Sequence, residues 1–120
     1  MDWSPSSTAL LVELAGDNLD LKGGRAYFAV LVSWPNGAHA RYHLRRPLTI
    51  VNGEWTESGW YIPSARSTDW ECSFGSNNQS CAEMPSGPDL HYIEAVEIVI
   101  TDGTALPTGV LEIRNLQAWQ

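Results

Sequence analysis

Basic residues are scarce in this chain of 120. Seven lysines and arginines face fourteen aspartates and glutamates, a net charge of −7, with a pI near 4.7. A nucleic-acid-binding surface needs a basic face, so nucleic acid is not an expected partner. Long apolar runs are absent as well. Nothing approaches the ~18 residues that read as a membrane-spanning helix, so no membrane partner is expected. The opening Met1-Asp2-Trp3-Ser4 has neither the basic start nor the apolar segment of a signal peptide and reads as the start of an excised domain. No window of about 11–18 residues carries a helical period. The two cysteines, Cys72 and Cys81, lack the spacing and companion ligands of a zinc site.

What the chain does hold is β-forming. Six tryptophans, ten glycines and seven prolines accompany only 18% charged residues. β-Branched and aliphatic runs bounded by Gly, Pro and Asn read as strands. They fall at Thr8–Ala15, Arg25–Trp34, His39–Arg45, Pro47–Val51, Glu54–Ile62, His91–Thr101 and Gly109–Trp119. Pro35-Asn36-Gly37 reads as a hairpin turn, and Asn52-Gly53 as a turn or bulge. Residues 1–7 are expected to fray. The length suits one domain, 1–120, with a core of its own. The expected fold is all-β: an antiparallel two-sheet β-sandwich of the jelly-roll type, with one disulfide-closed loop. Cys72 and Cys81 would close that loop. Closing ten residues contributes roughly 2–3 kcal/mol by loop-closure entropy and points to a secreted, extracellular protein. Asn78-Gln79-Ser80 within it is an N-glycosylation sequon. The last two strands are expected to neighbour each other in one sheet, with their aliphatic faces holding the sandwich together and Glu97 beside Glu112.

Three stretches resemble a known family: Asn18-Leu19-Asp20-Leu21 before the strand Ala26–Val32, Asn52-Gly53-Glu54-Trp55, and the closing runs Leu90–Ile98 and Gly109–Leu116. Together they resemble the β-jelly-roll carbohydrate-binding modules of the galactose-binding-like type, which accompany secreted glycoside hydrolases and polysaccharide lyases. The resemblance covers residues 8–119 and implies a polysaccharide or oligosaccharide ligand and a larger multidomain enzyme as parent. It also implies a structural calcium, although Arg114 stands where the family often carries a calcium-linked Asp. Asp17, Asp20 and Asp102, with Asn18, are the oxygen ligands that turns of this chain offer. The same residues are ordinary turn formers, and no cofactor is required.

Sugar rings present an apolar C–H face that packs on aromatic rings, while their hydroxyls seek planar polar groups. Trp34, Trp60 and Trp70 are therefore the candidate stacking rings. Each has a competing reading as core, where large aromatics dominate. Arg41, His43 and Arg45 share one strand face and, with Arg46, concentrate positive charge suited to hydroxyls or a carboxylate. Pairing with Glu97, Glu112 or Glu94 across a solvated sheet is the competing reading. The expected site is thus Trp34, Arg41, His43, Arg45, Trp60, Trp70 and Glu97, in a groove floored by Tyr27–Trp34, His39–Arg45 and Glu97–Thr101 and walled by the irregular stretch 63–88. Non-catalytic glycan binding is the leading expectation. A ligand-free accessory domain is the alternative, and a small jelly-roll hydrolase or lyase using Glu97 and Glu112 as its carboxylate pair is a third.

Overall fold

The computed structural model describes residues 9–61, 69–76, 80–83 and 87–119. They form seven strands: β1 Ala9–Asp20, β2 Arg25–Ser33, β3 His39–Leu44, β4 Thr56–Tyr61, β5 Trp70–Gly75, β6 Ile93–Thr101 and β7 Thr108–Trp119. Short 3-10 turns lie at Cys81–Glu83 and Leu90–Tyr92. The strands build a three-stranded sheet, β4-β1-β7, and a four-stranded sheet, β5-β3-β2-β6. Every strand pair is antiparallel. This is the expected two-sheet β-sandwich, and Cys72 and Cys81 are joined, their Cα atoms 5.6 Å apart.

The alternation of β2 sets the core. Phe28, Val30 and Val32 point inward and are sealed from solvent. Ala40, Tyr42 and Leu44 of β3, Trp70 of β5 and Ile93 of β6 join them in one cluster. The three-stranded sheet buries Val12 and Leu14 of β1. The β2–β3 hairpin turns through Pro35-Asn36-Gly37 as its composition predicts. Gly37 N–H donates to the Trp34 carbonyl at 3.0 Å, the Asn36 side chain accepts from Ala38 N–H at 2.9 Å, and Gly37 takes φ +88°. That is a three-residue loop closed by a left-handed glycine.

Three expectations about the strands are corrected. Pro47–Val51 is not a strand: Leu48 N–H donates to the Ala26 carbonyl, and Val51 makes only an isolated bridge to Glu54, while Trp70–Gly75, inside the stretch expected to be irregular, is β5. The first strand does not stop at Ala15 but runs on to Asp20. Asn18, at φ +49°, absorbs a bulge there instead of ending the strand. The Asn52 side chain secures this extension: its Oδ1 accepts from Leu19 N–H at 2.8 Å and its Nδ2 donates to the Leu19 carbonyl at 3.1 Å.

The closing strands, moreover, are not neighbours. β6 pairs with β2 and β7 with β1, so Glu97 and Glu112 belong to different sheets and form no cross-strand pair. The extended β1 is the reason. It offers β7 a partner of equal length, twelve residues each, and the linker ending in Pro107 crosses from one sheet to the other. β7 is consequently an edge strand, and its Val110, Ile113 and Leu116 stay about half exposed. The aliphatic seam expected to unite the sandwich is supplied by β2 and β3 instead.

Candidate functional site

β2, β3 and β6, the three expected floor strands, do lie side by side. Ala29 of β2 has His43 of β3 and Glu97 of β6 as its register partners, and Leu31 has Arg41. Residues at these positions form the outer face of the four-stranded sheet. Arg41 reaches diagonally over β2 and grips Glu97 with a fork, Nε to Oε1 at 3.2 Å and Nη2 to Oε2 at 3.1 Å. The small side chain of Ala29 leaves room for it and is covered completely. Two parallel charge-assisted bonds fix the guanidinium plane.

The sheet brings two further rings to this fork. Arg41 Cζ lies 5.9 Å from the centroid of Phe74. The His39 ring stacks on Phe74 from 6.0 Å at an interplanar angle of 28°. Phe74 itself is 44% exposed. A row His39–Phe74–Arg41–Glu97 results, an open aromatic ring bordered by planar polar groups. Phe74 stood among the aromatics of the sequence, but nothing there assigned it a role. What brings it outward is a bulge in β5: Tyr42 pairs with Cys72 and Arg41 with Phe74, leaving Ser73 as the extra residue.

The other expected ligand groups fare differently. Trp70 is only 2% exposed and lies in the core cluster, because its register partner Leu44 faces inward. Its indole is therefore packing, not a sugar platform. Trp34 is half-buried and also packs against the core, from the hairpin end. His43 is buried, tilted against Tyr27 with ring centroids 5.0 Å apart. Its Nε2 lies 3.5 Å from Glu71, and its Nδ1 is buried without a hydrogen-bond partner. It supports the face from beneath instead of reaching a ligand. Arg45 lies 3.4 Å from the same Glu71 carboxylate and is exposed. Trp60 is the register partner of Leu10 on β4, in the other sheet. Its side chain lies outside the described residues, as do 63–68, 77–79 and 84–86 of the expected wall.

Two of the aspartates expected to offer calcium ligands make other contacts. Asp20 holds Lys22 through its N–H at 2.8 Å and its ammonium at 3.2 Å, and Asp102 accepts from Thr101 Oγ1 at 3.3 Å. Asp17 is exposed on β1. Among the described residues no three His, Cys, Asp or Glu gather in one place that could hold an ion.

The three-stranded sheet carries a second polar face. Glu13 of β1 has Glu57 of β4 and Arg114 of β7 as its register partners. One Glu13 oxygen accepts from both the Asn115 amide and, at 3.1 Å, Arg114 Nε. The Arg114 guanidinium then lies 3.9 Å from the centroid of the Trp55 ring. The Asn115 hydrogen bond, followed by those of Arg114 and its charge, holds the Glu13 carboxyl below the ordinary glutamate value of 4.5. Its folded value is thus the lower one. The stabilisation is complete above the unfolded value and is lost as pH falls through the folded one. The melting-temperature gap between wild type and Glu13→Gln should be widest near neutrality and close in strong acid. A gap unchanged across that range would show that the bonds to Asn115 and Arg114 contribute nothing through the charge.

No family model, curated protein or solved structure matches this chain.

Proposed function

We propose that this domain is a non-catalytic module that binds a polysaccharide across the outer face of the four-stranded sheet. The observation that carries the reading is the exposed Phe74 ring flanked by the Arg41–Glu97 fork and His39. An aromatic face accepts the C–H surface of a sugar, and the adjoining guanidinium, carboxylate and imidazole suit its hydroxyls. The disulfide fits an oxidising, extracellular setting, where such modules accompany larger enzymes. No helix among the described residues is long and apolar enough to cross a membrane. The hydrolase reading loses its suggested pair, since Glu97 and Glu112 lie on separate sheets.

Affinity electrophoresis tests the proposal. Wild type should be retarded in a gel containing the right soluble polysaccharide, from a panel of neutral and acidic ones. Phe74→Ala should weaken binding about fivefold or more, as the loss of one stacking contact of roughly 1–3 kcal/mol implies by analogy with base stacking on aromatic side chains, and should leave the melting temperature nearly unchanged. Absence of retardation in every gel would favour a ligand-free accessory domain.

A further inference from the structure

The outer face of the three-stranded sheet contains a cavity of about 200 Å³, lined by Leu11, Val12, Glu13, Glu57, Asn115 and Gln117. We propose that this cavity is a second saccharide site, one that takes a neutral sugar ring through its adjacent hydroxyls. The inference rests on the glycan-binding reading but concerns different residues on the opposite face of the sandwich.

The backbone explains why there is a cavity here. β1 is the middle strand, with β4 on one side and β7 on the other. Leu11 is paired on β4 with Gly59, a residue that has no side chain, and on β7 with Gln117. The pairing of β1 with β7 slips between Leu11 and Glu13, and Asn115 takes φ +54° there. This bulge turns the Asn115 amide toward Glu13. Arg114, next to Asn115, stacks its guanidinium on Trp55, which directly precedes β4.

The chemistry of the lining selects the ligand. Glu13 uses one carboxylate oxygen for Arg114 and Asn115, and its other oxygen is free to accept. The side chains of Glu57 and Gln117 have no hydrogen-bond or ion-pair partner among the described residues. An ionised carboxylate only accepts hydrogen bonds. The cavity is therefore rich in acceptors, with the Gln117 amide as its free donor. A sugar bearing adjacent hydroxyls supplies several donors at the spacing of a carboxylate's two oxygens. A uronate or sulfate would bring its negative charge against Glu13 and Glu57.

The free protein carries a cost at this site. Carboxylates directly opposite on neighbouring strands disfavour the sheet, and Glu57 returns no contact for its repulsion of Glu13. A bound polyol would bridge the two. Apolar Leu11 at the base of the cavity offers a surface for the ring's C–H groups.

The test uses the full chain in gels containing a soluble neutral glucan, xylan or mannan, with polygalacturonate as the acidic counterpart. Phe74→Ala should remain measurably retarded in one of the neutral gels. Adding Gln117→Ala or Glu57→Gln should reduce that residual binding about tenfold or more. Both cleft residues are exposed, so Gln117→Ala should leave the melting temperature nearly unchanged, and Glu57→Gln, which removes a repulsion, should leave it unchanged or slightly higher. Should both cleft variants keep wild-type retardation in every neutral gel while Phe74→Ala abolishes it, the second site is refuted and the first stands. Loss in the cleft variants with none in Phe74→Ala would refute the first site and keep the second. Heat of calcium chloride binding that disappears in Glu57→Gln, without any sugar binding, would make the cavity a cation site and overturn the inference.

Discussion

Trp70→Ala should destabilise the domain by about 3–5 kcal/mol, the usual cost of removing a buried large aromatic. In a domain of this size that lowers the melting temperature by on the order of 15 °C. Trp70 opens β5 opposite Leu44 and is 2% exposed within the cluster of Phe28, Tyr42, Leu44 and Ile93. Removing the indole leaves a void that rigid β-sheet neighbours close only in part. Urea unfolding followed by circular dichroism measures the change. A loss below about 1 kcal/mol would place the ring outside the core and restore it as a candidate sugar platform. Phe74→Ala, only four residues further along, should show the reverse pattern: weak binding on a stable fold.

Gly109→Ala should cost on the order of 3 kcal/mol or more, through backbone strain and collision together. Gly109 has φ +92°, and a Cβ there would strike the backbone of Asn18 and Leu19. Asn18 itself is left-handed, at φ +49°, and the β1–β7 register slips between Asp17 and Asp20. Both strands thus bend at the same place, and only a residue without a side chain lets them meet. Neither obstacle can rotate away, because both are main chain. Gly53→Ala is the control. Gly53 also has positive φ, +77°, but open space around it, so its cost should be about 1 kcal/mol. Equal midpoints for the two variants in urea would show that the close approach to Asn18 is unimportant.

Local chemistry made much of the fold legible. Pro35-Asn36-Gly37 can hardly do other than turn, because proline presets φ and glycine accepts the left-handed closure. Phe28, Val30 and Val32 fall on one side of β2 by its period of two, but Tyr27, Ala29 and Leu31 make the other side apolar as well, so the strand was legible and its inward side was not. Arg41 and Glu97 lie 56 positions apart; the competition between pairing and ligand binding at Arg41 was readable, but Glu97 was one of three candidate partners, with Glu94 and Glu112.

The rest required pairing partners. Trp70 and Phe74 have the same local appearance, aromatics in a polar stretch beside a cysteine. A single bulge in β5 gives one to the core and the other to solvent, and a bulge depends on the partner strand and not on local composition. The cleft around Glu13 has no sequence signature, since Glu57 and Gln117 are 44 and 104 residues away from it in the chain.

The sequence by itself determined an acidic, helix-poor β-sandwich with a glycine-closed hairpin and a cysteine-bounded loop. These follow from dihedral preference and from a period of two, which act over a few residues. Tertiary structure alone decided that β6 and β7 part to different sheets, which tryptophan is core, and where carboxylates and amides converge. Each of those outcomes turns on register between segments distant in the chain, and a shift of one residue exchanges the inner and outer faces of a strand.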